Sequence, residues 1–241
     1  MKLVRLYFFF LLFLPLILSA QINEQDEARR IPDSVPSVID SLYREDQFYI
    51  GLTFNRIDQT PASISQSGFS GGVHLGFIRD FPLNKQRNIA IGTGLGWSLN
   101  SFGHNLFIGQ AENGETIFRS IDKSLDYDTN RFTTQLIEAP VEFRWRTSSA
   151  ESYKFWRVYT GLKFGYIYNF KSNFVQPGNE VVQYDLPELN RFRLGANLTF
   201  GYNTFNFHFY YSLNPLFSDA EVDDSELGIH LVRIGLMFYV L

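Results

Sequence analysis

The chain has 241 residues and a formal net charge of −4, which allows one domain of ordinary size and shows no clustered Lys/Arg footprint for nucleic acid. It has no cysteine, so disulfides, thiolate metal sites, Cys nucleophiles and lipid attachment through an N-terminal Cys are excluded. Aromatic residues reach 17%, with 25 Phe, 13 Tyr and 3 Trp beside 18 Gly. Without long apolar runs, that composition points to β architecture at a membrane interface.

Residues 1–20 predict a signal peptide rather than structure. Lys2 and Arg5 form a positive start, Leu6 to Leu18 is apolar apart from Pro15, and Ser19-Ala20 offers a small-residue cleavage site. An N-terminal membrane helix is the alternative, but the stretch is short and lacks a stop-transfer flank. Beyond it no run approaches the roughly 18 apolar residues of a spanning helix, so a mature chain in a membrane must span it as a barrel. Residues 21–46 are polar, with Pro32 and Pro36. They predict a flexible periplasmic segment with a short helix near Val38–Tyr43. Its triplets Asp33-Ser34-Val35 and Asp40-Ser41-Leu42 resemble O-glycosylation sites of Bacteroidota.

From residue 47 the apolar period becomes two, the signature of strands with unlike faces. Phe48, Ile50, Leu52 and Phe54 form one apolar face; Phe69, Val73, Leu75 and Phe77 form a second. Ile89, Ile91, Leu95, Trp97 and Leu99 alternate with Gly, Ala and Ser. Ile137, Ala139, Val141, Phe143 and Trp145 follow, although Phe132, Thr134 and Leu136 before them have the opposite parity. That shift predicts a bulge or a late strand start. Trp156, Val158, Leu162, Phe164, Tyr166 and Phe170 read as one face of the next strand. Phe192 to Tyr202 and Phe205 to Leu213 alternate cleanly around Asn203-Thr204, a two-residue hairpin whose flanks share a face. Val232, Ile234, Leu236, Phe238 and Val240 make the eighth strand.

Eight strands over 47–241 predict an all-β, eight-stranded antiparallel up-and-down transmembrane β-barrel. The gaps near 82–88, 146–154 and 203–204 are short; those near 103–130, 171–190 and 214–227 are long, and 58–68 is intermediate. Outer loops are expected to be the longer set. The acids Asp219, Glu221, Asp223, Asp224 and Glu226 lie in a long gap, and Lys85 and Arg87 in a short one. Both termini are therefore expected on the periplasmic side of an outer membrane. A secreted soluble barrel would alternate too, with its apolar face inward. Large aromatics at nearly every apolar position favour lipid, and Trp145, Trp156, Tyr202 and Phe205 sit where an interfacial girdle would.

Three stretches carry a resemblance: Tyr49-Ile50-Gly51-Leu52-Thr53-Phe54-Asn55, Gly68-Phe69-Ser70-Gly71-Gly72-Val73-His74-Leu75-Gly76 and Ile137-Glu138-Ala139-Pro140-Val141-Glu142-Phe143. Together the chain resembles PorT-like outer-membrane barrels of Bacteroidota, of the OmpA/OmpX-like eight-stranded kind, over residues 47–241. Ala139 stands where that pattern expects a branched residue. The resemblance implies a barrel, a link to type IX secretion or gliding machinery, and no catalytic residues.

Eight strands leave no open channel, so the lumen should fill with side chains. Parity places Glu138, Glu142, Arg144, Arg157, Lys163, Arg191 and Arg193 inside, as a salt-bridged plug rather than a solute path. No Ser or Asp holds a diagnostic spacing to His74, His104, His208 or His230, so no catalytic site is expected. The acidic 219–226 loop lacks the spacing of a calcium loop, and no metal or cofactor is expected. The expectation is a non-enzymatic accessory or scaffold barrel. Its partners would be outer-membrane lipid and secretion-machinery subunits. A small-solute porin and a rim enzyme are the competing classes.

Overall fold

A computed structural model describes residues 46–122, 124–147 and 155–240. The predicted signal peptide and the leader with its two Asp-Ser triplets lie outside the described residues, except Asp46. In chain order the strands are β1 (Asp46–Asp58), β2 (Gly71–Pro82), β3 (Ile89–Gly103), β4 (Leu106–Gln110), β5 (Thr116–Ser120), β6 (Thr129–Arg146), β7 (Trp156–Gln176), β8 (Asn179–Gln183), β9 (Phe192–Tyr202), β10 (Phe205–Ser212), β11 (Glu221–Val222), β12 (Ser225–Glu226) and β13 (His230–Val240). Eight of these, β1, β2, β3, β6, β7, β9, β10 and β13, pair antiparallel with their neighbours. The ring closes where β13 pairs with β1, from Phe48 opposite Val240 to Asp58 opposite His230. Closure leaves every barrel strand paired on both sides, as a spanning sheet requires.

The alternation decides which face is inside. On β1, Phe48, Ile50, Leu52 and Phe54 are 61%, 48%, 56% and 52% exposed, while Gln47, Tyr49, Thr53 and Asn55 are buried. The apolar face is outward on this and the other barrel strands, the reverse of a water-soluble barrel. Glycines on the inner face make room for rings. A Cβ at Gly76 or Gly96 would run into Tyr49, and one at Gly195 into Tyr210. The β9–β10 hairpin turns on Asn203, at φ 55°, with Tyr202 opposite Phe205 as the flanking pair.

The expected bulge lies in the partner strand. β6 runs from Thr129 without a break in its in–out alternation. Gln135 pairs with Asn169 and Leu136 with Ile167, so Tyr168 is the extra residue and it belongs to β7. Past it the parity of β7 inverts, and Phe170, assigned by its spacing to the outward face, is buried inside. The parity change in the β6 sequence has another cause. Phe132 and Leu136 point inward because the interior itself becomes apolar at that end.

The long connections are folded. β4 and β5 form a hairpin, β8 adds an edge strand to the projecting end of β7, and β11 and β12 pair around Asp223-Asp224, both at positive φ. Together they make a cap with its own core. Phe102, Phe132 and Phe170 of the wall stack at centroid distances of 4.9 and 5.8 Å, Phe217 meets Phe170 at 6.2 Å, and Phe118 meets Phe217 at 5.3 Å. Leu106, Ile108, Leu216, Leu227 and Ile229 complete it. In the acidic loop Ala220, Val222 and Leu227 enter this core while the carboxylates stay outside.

Candidate functional site

The interior between the short turns and the cap is the site that the sequence singled out. Alternating inward positions of β2, β6, β7, β9 and β13 carry its charges. Glu138, Glu142, Arg144, Arg157, Lys163 and Arg193 are all buried there. Arg191 is not among them. It precedes β9, and its guanidinium reaches Asp185, an exposed residue, and the carbonyl of Ile167. The parity that matches Arg191 to Arg193 stops counting where the strand ends.

Near the short turns, Asp80 accepts from Arg144 and, at 3.0 Å, from Arg146. Arg144 also donates to Gln47 at 3.3 Å, lies 3.5 Å from Glu142 and stacks over Tyr159 at 3.8 Å. Arg157 stacks over Phe155 at 4.5 Å. Higher up, Glu138 accepts from Arg233 at 2.8 Å and lies 3.7 Å from Lys163. Arg233 also stacks over Tyr210 at 3.6 Å. Asn197 donates to Glu142 at 2.8 Å. Arg193 is bound by carbonyl oxygens of Asn214 and Pro215, tying the charged belt to the loop above it. Each buried carboxylate thus has a cation, and surplus guanidinium charge is spread over aromatic faces and carbonyl oxygens.

Neutral polar groups are interleaved with this belt, Asn55 lying opposite Arg233 and His208 beside Glu142 and Lys163. The Thr53 hydroxyl donates to Asn55 at 2.8 Å, so at 2.9 Å it accepts from Nε2 of His74. Asn55 passes on to Asn100 at 3.3 Å, and Asn100 to Ser98 at 3.3 Å. His208 Nδ1 meets the Thr199 hydroxyl at 2.7 Å. The other two histidines sit at the cap end. His104 Nδ1 accepts from the Leu106 amide at 3.1 Å, and burial pushes this histidine down to about 3. His230 Nδ1 lies 2.7 Å from the Ser212 carbonyl and its ring stacks on Tyr211. The four histidines are therefore bonded to threonines and backbone groups.

Asp80, Arg146 and Arg233 were missed by the sequence reading, although parity carried the signal for each. Asp80 continues the inward series of His74 and Ile78 past Phe77, the last residue of the apolar face. Arg233 precedes the outward Ile234, and Arg146 follows Trp145 at the edge of a predicted turn.

On the outer wall, Trp156 and Tyr202 pack at 5.3 Å beside the short turns, with Trp145 and Phe205 exposed nearby. At the other edge Trp97 donates to the Tyr168 hydroxyl at 2.7 Å, which donates to Gln135 at 2.7 Å. Two aromatic girdles bounding an apolar band are the mark of a barrel that spans lipid. The family model of the outer membrane protein beta-barrel domain matches residues 20–218. The chain belongs to that family and is an outer-membrane protein. Among solved structures it is similar to Ail, the attachment invasion locus protein of Yersinia pestis, at 14% identity and a TM-score of 0.29, over 80% of this chain and 97% of that one. Ail in complex with the heparin analogue sucrose octasulfate gives 13% identity and a TM-score of 0.28 over the same shares. No curated protein matches the chain.

Proposed function

We propose that the protein is a non-conducting, non-enzymatic scaffold of the outer membrane, anchored by its barrel and displaying the folded cap on the cell exterior, with both termini in the periplasm. The observation behind this reading is double filling: paired charges occupy the lumen, and an apolar core closes the end above them. A solute path would have to break both. In planar bilayers the purified barrel should show no stable open state. A lasting state of substantial conductance would overturn the reading in favour of a porin.

As a scaffold it needs a protein partner, and the resemblance to PorT-like barrels favours a type IX secretion or gliding assembly. Mild-detergent capture of the native protein followed by mass spectrometry should recover subunits of such machinery. Recovery of the barrel alone would remove the secretion role and leave the scaffold without its partner.

A further inference from the structure

A cleft of about 200 Å³ opens in the cap between the β4–β5 hairpin and the segment that follows β8. Its polar lining is Gln110, Thr116, Gln183 and Asp185; the exposed Pro187, over the buried Leu186, supplies an apolar edge. The walls are fixed. Thr116 donates to Glu188 at 2.8 Å, which joins the hairpin to the opposite side, and Gln110 donates to the Gly114 carbonyl at 3.0 Å. Among the described residues no Lys or Arg lines the cleft, and the carboxylate of its lining, Asp185, is matched by Arg191. The lining therefore offers no counter-charge for an anion, and the two acids at it are engaged, Asp185 by Arg191 and Glu188 by the Thr116 hydroxyl. Its volume suits one small ring, being below the roughly 300–1,000 Å³ of drug-sized ligand pockets.

Amides, a hydroxyl and a carboxylate with open lone pairs, set beside an apolar edge, fit a ligand with hydroxyls on its rim and C–H groups on its face. We propose that this cleft binds a neutral saccharide, with Gln110, Gln183 and Asp185 bonding ring hydroxyls and Pro187 against the ring. The cap orientation proposed above bears only on where the sugar comes from: free oligosaccharide outside the cell, or the sugars of outer-leaflet glycolipid. Binding itself is independent of conductance.

The test uses the full chain in detergent micelles on an array of neutral hexose and N-acetylhexosamine oligosaccharides, followed by titration calorimetry with the strongest. A parallel arm uses vesicles carrying a glycolipid with the same terminal sugar. The expected result is saturable binding in one arm, which also identifies the source. Gln183→Ala should weaken it about tenfold through the loss of a hydrogen-bonding amide, and Gln110→Ala by a similar factor. Glu221→Ala, on β11 and outside the cleft, should bind like the parent, with circular dichroism showing all three variants folded. Silence in both arms, binding of acidic glycans alone, or unchanged affinity in the Gln110→Ala/Gln183→Ala double variant would overturn the proposal.

Discussion

The lumen belt and the cap lie on the same side of the same strands and are built of opposite materials. On β6 the inward residues at the short-turn end include Arg146, Arg144, Glu142 and Glu138; toward the cap they are Leu136, Thr134, Phe132 and Asn130, uncharged and partly apolar, with no change of parity between. The medium outside the wall explains the change. Beside Glu138 and Glu142 the outward residues are Ile137, Val141 and Phe143, facing the apolar band, so the chain's apolar residues are used outside and its charges must pair within. Past Leu136 the outward residues become Gln135, Thr133 and Arg131, and the apolar residues move inside, as in a water-soluble protein. The Trp97–Tyr168–Gln135 hydrogen bonds lie at that level. The wall therefore passes from membrane protein to soluble protein within about two residues, and the β7 bulge sits at the same height.

The contrast should appear in stability. Glu138→Ala leaves Lys163 and Arg233 without their shared carboxylate inside the barrel. Removing one partner of a buried ion pair costs about 3–5 kcal/mol, so urea unfolding in vesicles should show the largest loss here. A loss below about 1 kcal/mol would mean that the belt is not held by charge pairing. Phe132→Ala empties the middle of the cap's ring stack, and core Phe truncations cost about 3 kcal/mol or more. Its signature should be local: faster amide exchange in β4, β5 and residues 213–229, with the β9–β10 hairpin unchanged. Because the two residues share no partner, the double variant should lose the sum to within about 0.5 kcal/mol. Strong non-additivity would show that belt and cap are one cooperative unit.

The barrel was legible because a period of two persists when a strand is half-wrapped in lipid, and because Asn203-Thr204 set one register outright. Most of the charged belt was legible for the same reason. The cap was not. Its strands are short, β11 and β12 having two residues each, and its core joins residues far apart in sequence, such as Phe118 and Phe217. No local periodicity records such contacts. Phe170 shows the limit sharply. Spacing alone put it on the outward face, and one extra residue, Tyr168, reversed it. Arg191 failed for the complementary reason, since parity was extended past the point where the strand begins.

The smallest expected effect concerns pH and is read within the cap. His104 is buried in the cap, its ring 4.9 Å from that of Phe132 and its Nδ1 occupied by the Leu106 amide. Burial holds its folded value at about 3, against about 6.5 in an unfolded chain. Between those values the unfolded segment takes up a proton that the folded cap refuses. The stabilising contribution of neutral His104 is thus complete above about pH 6.5 and declines as pH falls through the window, with a limiting slope of about 1.4 kcal/mol per unit. Asp223 is held below its ordinary value by hydrogen bonds from Ser120 and then Ser63, so its own loss begins only in more acidic solution. From pH 7 to 5.5 the cap should therefore weaken by about 1 kcal/mol, read as amide exchange of Leu106 to Ile108 corrected for the intrinsic rate. His104→Gln keeps an acceptor for the Leu106 amide and removes the titration, so its exchange should be flat over the same range. An equal slope in that variant would place the pH response elsewhere.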